Sequence, residues 1–396
     1  MKVKKEYLVI LTILITEVLG FSLILPFLPF YAQEFGATPL EIGLILTSFS
    51  FFQFFSAPIM GRLSDHYGRK PLLIISQFST FIGFLILGFA NALWMIFLSR
   101  IVDGLFGSNF TIAQAYLSDI SSKEDRSKVF GLSGVAFGLG FLVGPAIGGF
   151  LSAFGFSLPS FLAAAVSAIS MLIIFFFLPE TIKRKKEIKL DIKIFHFNDF
   201  RKYFSDKLLS PKFWQFFTYV FAHTLWVSTS ALYAQAQLGF TAIDVGLFLT
   251  YVGLISVIIR GILLSKLIDL FGEKNLQYMG AISIIVGMVA SAFVAEAWMF
   301  YIIITFFSFG SGVLRPVLQG TISRGAPQEE QGSVLGITNS LGSISQIFGP
   351  VLGGFLINYF IPGSLGLMAA FIMSLGLVMM FREEIKNNEY KHEIAF

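Results

Sequence analysis

The sequence lacks cysteine and is poor in charged residues. Without cysteine, disulfide bonds and thiolate metal sites are excluded. Charged residues make up 13% of the 396 residues, whereas soluble domains usually contain about 25%. Apolar residues instead reach 55%, and the mean hydropathy is +0.78. This composition indicates a membrane protein.

Motifs of catalysis and nucleotide binding are also missing from the sequence. No nucleophile–base set, P-loop or cluster of metal ligands stands out. We therefore expect neither an enzyme nor direct ATP drive, and no metal or cofactor. The net charge of +4 does not indicate nucleic acid as a partner, because the position of the cations matters more than their sum.

Long apolar runs dominate the chain. A hydrocarbon core of about 30 Å requires roughly 20 apolar residues per helix. The first run, after Lys2, Lys4 and Lys5, is too long for a signal peptide and has no convincing cleavage site, so we expect it to be retained. Twelve spans are predicted, near 7–33, 41–61, 72–91, 94–118, 128–153, 157–178, 212–236, 243–265, 276–295, 298–322, 333–359 and 364–381.

Lysine and arginine residues lie almost entirely on one side of these spans. The loops after even-numbered spans and both terminal segments contain nearly all of them, and the other loops contain none. Only Arg100, Arg260 and Arg315 lie inside spans. By the positive-inside rule, both termini are expected in the cytoplasm of a multi-pass cell-membrane protein.

The two halves of the chain resemble each other after a shift of 204 or 205 residues. This repeat predicts two six-helix bundles, 1–181 and 212–396, joined by a cytoplasmic linker at 182–211. The matching positions include Asp65-x-x-Gly68-x-Lys70 with Asp269-x-x-Gly272-x-Lys274, Gln114 with Gln319, and Gly144-Pro145-x-x-Gly148-Gly149 with Gly349-Pro350-x-x-Gly353-Gly354.

Within the linker, apolar side chains follow a helical spacing among charges. They are Phe197, Phe200, Phe204 and Leu208. This pattern favours an amphipathic helix in the membrane interface. A solvated linker with incidental apolar residues is the alternative.

A short polar stretch from Gly61 to Pro71 separates the second and third apolar runs. It reads Gly-Arg-Leu-Ser-Asp-His-Tyr-Gly-Arg-Lys-Pro, and we expect a hinge in which Gly61 and Gly68 allow tight backbone paths. The stretch resembles the loop 2–3 signature of the major facilitator superfamily, G-x-L-(S/A)-D-x-x-G-R-(K/R)-P, with every specified position filled. The resemblance implies an all-α fold of twelve transmembrane helices in two pseudo-symmetric six-helix bundles.

The same resemblance implies a gate on the cytoplasmic side. Asp65 and Arg69 of the signature, together with Asp119 at the end of span 4, would form a charge cluster that holds the outward-open state. Asp65 would face the start of span 11, and Lys70 completes the signature.

Glu17 lies about 15 Å along span 1 at 1.5 Å per residue. An ionised carboxylate there costs several kcal/mol unless it is paired or hydrated, and burial favours its protonated form. The stretch Glu17–Pro29 resembles span 1 of twelve-span drug:proton antiporters, including tetracycline exporters, which commonly have Asp where this chain has Glu. Glu17 is therefore either a proton carrier or part of an internal ion pair.

Arg100 and Asp103 lie three residues apart in span 4, so they share a helix face and can neutralise each other. The spacing of Arg100 and Gly104 resembles the superfamily's span 4 motif, in which the arginine is associated with proton coupling. A local pair and a coupling role both remain open. The helical rise places Arg100 about 12 Å farther outward than Glu17, so a direct bridge requires a kink at Pro26 or a chain of waters.

A pattern of small residues in span 5 resembles the antiporter motif of the superfamily, g-x-x-x-G-P-x-x-G-G. Small residues allow helices to approach closely, and an internal proline kinks a helix. The motif favours an antiporter over an uptake symporter. Its members here are Gly140, Gly144, Pro145, Gly148 and Gly149.

His223 lies at a depth in span 7 similar to that of Glu17 in span 1. Histidine titrates near neutrality, so it is either a second coupling group or a hydrogen-bonded packing residue. Arg260 is expected to snorkel toward the cytoplasmic surface, and Arg315 either binds an anionic group or pairs with a carbonyl. Polar and aromatic residues expected to line the substrate cavity are Asn109, Gln114, Trp226, Arg315 and Gln319.

The leading functional hypothesis is proton-driven export of a small amphipathic compound by alternating access. A symporter or uniporter of a sugar or organic anion is the nearest alternative, and a transport-dead sensor or lipid scramblase is an alternative of another class. Expected partners are a small-molecule substrate, protons and membrane lipid, with no nucleic acid, and we expect a monomer. Substrate identity does not follow from these motifs.

Overall fold

The structure is a computed structural model that describes residues 5–121, 126–182, 197–206, 208–326 and 331–394. Within these ranges the regular structure is helical, with no β-strand, so the predicted all-α class is confirmed. Residues 183–196 and 207 of the predicted linker lie outside the described residues. A short helix, Phe197–Phe204, is present in the described part of the linker, and its location in the membrane interface stays a prediction.

The chain forms two compact units. One comprises Met1–Ile194 and Phe240–Leu254, and the other comprises Phe195–Gly239 and Ile255–Phe396. Residues 240–254, which the repeat assigns to the second bundle, thus group with the first unit. The predicted domain boundaries stay a prediction.

Eight helices form the part of the first unit that precedes the linker. Helix α1 packs mainly against α7 and α8, and α4 packs against α5 and α8. Their bounds are α1 Lys5–Ile24, α2 Leu28–Glu34, α3 Pro39–Tyr67, α4 Arg69–Gly88, α5 Leu93–Phe106, α6 Asn109–Ile120, α7 Arg126–Ser152 and α8 Ser157–Phe177.

The second half of the chain continues the numbering with seven helices. Helix α10 packs against α13, α14 and α15. A π-helical turn, Ile259–Leu263, follows α11, and a 3₁₀ turn, Ser291–Phe293, follows α12. Their bounds are α9 Phe197–Phe204, α10 Leu209–Leu238, α11 Ala242–Ile258, α12 Leu264–Ala290, α13 Ala297–Arg324, α14 Gln331–Tyr359 and α15 Ser364–Ile394.

The apolar helices are long enough to cross a membrane. Among the described residues, eight helical stretches meet the length and hydropathy required for a span. One of them, Ala242–Phe293, has 52 residues, more than the roughly 20 that one crossing needs. Many large apolar side chains, such as Phe89, Phe176 and Phe293, point outward, as expected for lipid-facing surfaces. The count of twelve spans stays a prediction.

Two predicted spans are broken in the structure. The first ends as a helix at Ile24 and resumes at Leu28, next to Pro26, so the kink that the proline suggested is present. The fourth is interrupted at Gly107 and Ser108, although the sequence predicted one continuous run. The second break starts a new helix at Asn109, in the interior of the first unit.

The polar stretch at 61–71 is not the hinge that the sequence predicted. Helix α3 continues through Gly61 to Tyr67, because the polar side chains after Gly61 are compatible with helical geometry. The chain turns only at Gly68, whose φ of 108° favours glycine. Helix α4 begins at the next residue and includes Pro71 in its first turn.

Candidate functional site

Glu17 is held by a side chain from the break in span 4. The Nδ2 group of Asn109 donates a hydrogen bond to Oε2 of Glu17 at 2.9 Å. Asn109 is 1% exposed, whereas Glu17 is partly exposed. Among the described residues no cation forms an ion pair with Glu17, and the hydrogen bond from Asn109 is the contact that holds its carboxyl group.

Asn109 also links Glu17 to the ion pair predicted in span 4. Its Nδ2 group lies 3.1 Å from Oγ1 of Thr80, and that hydroxyl donates to Oδ1 of Asp103 at 2.8 Å. Arg100 Nη1 lies 3.6 Å from Oδ2 of Asp103, and both side chains are buried. The spacing thus predicted the Arg100–Asp103 pair correctly, and a polar chain extends from it to Glu17.

This polar chain has spare hydrogen-bonding capacity. Nη2 of Arg100 and Oδ1 of Asn109 are buried and have no hydrogen-bond partner among the described residues. Buried polar atoms are nearly always satisfied, so these two atoms are available for further hydrogen bonds. Arg100 also lies over the Phe84 ring, 5.4 Å from its centroid, and it does not pair with Glu17.

Arg69 is the centre of a second cluster, where α3 ends and α4 begins. Its Nε lies 2.9 Å from Asp119 and its Nη2 lies 2.5 Å from Asp65. Nη1 donates to Ser64 Oγ at 2.6 Å. The side chain is buried apart from 8% of its surface, and that of Asp65 is 53% exposed. The structure therefore brings together the three charged residues that the resemblance grouped.

Glu180 completes this cluster, and the sequence analysis missed its role. Its carboxylate accepts hydrogen bonds from the backbone N–H groups of Arg69 and Lys70 at 3.0 and 3.1 Å. These groups are free donors at the start of α4. A side chain at Gly68 would collide with the same carboxylate. The sequence signal was Pro179-Glu180-Thr181 after the sixth apolar run.

The glycines of the antiporter motif lie against neighbouring backbones. Gly140, Gly144 and Gly148 face α1, where an added Cβ would overlap Val18, Ser22 and the Leu23 carbonyl respectively. The Ser22 hydroxyl donates to the Gly140 carbonyl at 2.8 Å across this contact.

Gly149 faces α11 instead of α1. A Cβ there would lie 3.0 Å from Cα of Gly246. Pro145, within α7, presents its carbonyl to the same glycine. The small residues thus serve two helix contacts, one on each side of α7.

The candidate residues in the second unit have different environments. The imidazole of His223 stacks on Phe307 at 5.4 Å between centroids, and the residue is partly exposed. Trp226, predicted to line the cavity, is 1% exposed and packs against Tyr233 and Phe307. Trp226 thus lies on the face of α10 that turns into the packed helices, and its part in a substrate cavity stays a prediction. Asn109 is likewise a buried partner of Glu17.

The remaining predicted cavity residues keep some exposure. Gln114 and Gln319 are partly exposed, and Arg315 is exposed. Arg260 is exposed, as expected for a snorkelling side chain, and it also contacts α13. It lies in the π-helical turn, and its Nη2 is 3.4 Å from the Ser311 carbonyl.

The second unit contains a counterpart of the Arg69 cluster with opposite charges. Gly272 has a φ of 73°, matching the break at Gly68. Glu273 follows it and forms an ion pair with Arg324. Lys274 pairs with Glu384 at 2.5 Å, and the hydroxyl of Tyr278 donates to the same carboxylate at 2.6 Å.

Apolar helices that bury ion pairs and a carboxyl group define a multi-pass membrane protein. A family model described as Major Facilitator Superfamily matches residues 10–350 and 293–394. The chain belongs to the major facilitator superfamily, whose transporters handle small-molecule substrates.

Known proteins with similar sequences are resistance proteins. The class B tetracycline resistance protein of Escherichia coli is 28% identical over 368 residues, covering 89% of this chain and 88% of that protein. Multidrug resistance protein 2 of Bacillus subtilis is 29% identical over 391 residues, covering 96% of each.

Solved structures share the fold at lower identity. The human organic anion transporter MFSD10 (TETRAN) has a TM-score of 0.72 at 20% identity, covering 96% of this chain and 100% of that chain. A POT family transporter in complex with thioalcohol conjugated peptide has a TM-score of 0.78 at 13% identity, covering 97% and 96%.

Proposed function

We propose that this protein exports a small amphipathic compound in exchange for protons by alternating access, with Glu17 as the proton carrier. The observation that carries the proposal is the environment of Glu17. Glu17 is partly exposed as a residue, and its carboxyl group receives one hydrogen bond from Asn109 and has no ion-pair partner among the described residues. A fixed cation would hold the carboxylate in its ionised form, whereas a carboxyl group without such a partner can take up and release a proton.

The polar chain beyond Glu17 supports the same role. When Glu17 is ionised, the Asn109 amide stabilises the negative charge with a charge-assisted hydrogen bond. The Arg100–Asp103 pair lies behind it, with one guanidinium nitrogen still without a protein partner. When Glu17 gains or loses a proton, the side chains of Arg100, Asp103 and Thr80 can therefore rearrange their hydrogen bonds.

The Arg69 cluster supports a gating role at the cytoplasmic end. Two acids and the Ser64 hydroxyl converge on one buried guanidinium. The hydrogen bonds of such a network strengthen one another, so we expect them to form and break together. We assign it to holding one conformation of the transport cycle, as the resemblance implies. His223, stacked on Phe307 within the second unit, is assigned as a second coupling group.

The similarity to tetracycline and multidrug resistance proteins supports export of a drug-like compound. We further propose that 1–181 and 212–396 are two bundles joined by the linker, that both termini lie in the cytoplasm, and that the protein works as a monomer.

The test is proton movement in proteoliposomes that contain the purified protein and an internal pH-sensitive dye. A transported compound added outside the vesicles moves inward and should drive protons outward, so the internal dye should report a rise in internal pH. Movement of protons together with the compound would instead establish a symporter. Lipid movement without any proton-linked solute flux, over a broad panel of compounds, would favour the scramblase alternative.

A further inference from the structure

The second unit holds two arginines, Arg260 and Arg315, inside stretches that can span the membrane. Among the described residues, neither has an acidic ion-pair partner. Arginine does not lose its proton in proteins, and a charge inside a membrane protein requires a partner or water. In the first unit, by contrast, the buried Arg100 is paired with Asp103.

The surrounding helices supply no carboxylate that neutralises these charges. Helices α10, α13 and α14 contain no aspartate or glutamate. Asp244 lies in the first turn of α11 and binds Thr241. Of the two acids in α12, Glu273 forms the ion pair with Arg324, and Asp269 is exposed and forms no ion pair with Arg260 or Arg315 among the described residues. The positive charges of these two exposed arginines are therefore not neutralised by the helices around them.

Both guanidinium groups lie on the same part of α13. Arg260 Nη2 lies 3.4 Å from the Ser311 carbonyl, which also accepts a hydrogen bond from the Tyr219 hydroxyl at 3.2 Å. Arg315 lies one helical turn beyond Ser311 and is exposed. The π-helical turn that directs Arg260 is a rare element that occurs often at functional sites.

Aromatic rings lie beside these cations. His223 is stacked on Phe307, and its ring centroid lies 5.8 Å from that of Tyr219. Both arginines lie close enough to Tyr219 and His223 to interact with them electrostatically. Tyr219 and Phe307 are buried, so the partly exposed His223 is the ring that a ligand can reach. Two cations without an acidic partner among the described residues, next to this ring, are complementary to a ligand that has an anionic group and an aromatic body.

We propose that the arginine site, formed by Arg260 and Arg315 with the partly exposed His223 beside them, binds the anionic group of an amphipathic aromatic substrate. The substrate's charge supplies the ion-pair partner that these arginines lack among the described residues, and its rings pack against His223, which the buried Phe307 supports from behind. The site's part in transport rests on the proposed function, whereas its preference for anions can be measured in the absence of any proton gradient.

The test is equilibrium binding to the full chain in nanodiscs of neutral phosphatidylcholine, so that anionic lipid does not occupy the site. Fluorescein and rhodamine 123 share a xanthene–phenyl skeleton but carry opposite charges. Fluorescence anisotropy should show tighter binding of fluorescein to the wild-type protein, and salt should weaken it.

Variants then test whether the preference for the anionic dye depends on the two arginines. Arg260→Gln and Arg315→Gln should each weaken fluorescein binding about tenfold or more, because each removes a charge-assisted contact, and should leave rhodamine 123 binding unchanged or stronger. Arg382→Gln removes an exposed arginine of the same unit and should change neither. Arg315→Lys, which keeps the charge, should retain most of the preference.

Tighter binding of rhodamine 123 by the wild-type protein would overturn the proposal, even if the glutamine variants fail to fold. Folded glutamine variants that bind fluorescein like the wild type would overturn it as well. Failure of proton-coupled transport would leave these binding results intact, so the two proposals can fail separately.

Discussion

Arg69 and Glu273 occupy equivalent positions, each directly after a glycine with positive φ, and they carry opposite charges. Each pairs with a residue of opposite charge from a later helix, Arg69 with Asp119 and Glu273 with Arg324. The two ion pairs therefore preserve the geometry of the repeat while exchanging the signs. Their burial differs, since Arg69 has 8% of its side chain exposed and Arg324 has 59%.

This difference in burial predicts unequal effects on stability. Arg69→Gln removes charge-assisted hydrogen bonds from the buried guanidinium to Asp119 and Ser64 and should cost about 1.5–3 kcal/mol. Arg324→Gln breaks an exposed pair and should cost about 1 kcal/mol or less. Thermal unfolding of the purified variants measures both, and equal losses would contradict the assignment.

Asp65→Asn should strongly reduce transport while leaving expression intact. The substitution removes one charge from the Arg69 cluster at a half-exposed position, so folding changes little. Asp269→Asn is the matched control. Asp269 is the repeat equivalent of Asp65, but the residue four positions later is Glu273, where the first half has Arg69. If transport by Asp65→Asn is normal, the gate assignment is wrong.

Gly148→Ala should destabilise the first unit. The added methyl group would overlap the Leu23 carbonyl, which belongs to the backbone of α1, and overpacking of this kind typically costs about 1–3 kcal/mol. Gly342→Ala, within α14, meets nothing within 4 Å and should be neutral or slightly stabilising. The thermal unfolding midpoints of the two variants give the comparison. Similar midpoints would mean that the contact of Gly148 with α1 does not contribute to stability.

Asn109→Ala should slow proton-driven transport about tenfold or more, because a hydrogen bond to a charged group contributes about 1.5–3 kcal/mol. Asn109 provides the hydrogen bond that holds Glu17 in place. Asn275→Ala removes an exposed asparagine that binds a backbone carbonyl of its own helix and serves as the control. Initial rates at a fixed pH gradient give the comparison. Wild-type rates in Asn109→Ala would mean that the amide does not position the proton carrier.

The sequence predicted contacts within one helix better than contacts between helices. The Arg100–Asp103 pair follows from a spacing of three residues, and the cluster of Arg69 with Asp119 follows from a motif. The bond between Asn109 and Glu17 depends on the break at Gly107 and Ser108, which hydropathy does not register because the run stays apolar on both sides.

Local environments depend on the same packing. Trp226 was expected at the cavity because aromatic rings bind ligands, and helix rotation places it on a packed face in this structure. Gly61 was expected to break a helix, but the helix continues through it, so that prediction was wrong. Arg260 is exposed, as expected for a snorkelling side chain, and it also contacts the Ser311 carbonyl of α13. Rotation and local helix geometry are set by packing between distant segments, which spacing alone does not encode.

The most direct test of the account compares Glu17→Gln with Glu34→Gln in proteoliposomes under an imposed pH gradient. Glu34 is an exposed carboxylate at the end of α2, so its variant should accumulate substrate uphill like the wild type. Glu17→Gln should lose uphill accumulation while still exchanging substrate across the membrane without a gradient. Uphill accumulation by Glu17→Gln at the wild-type rate would contradict the central claim.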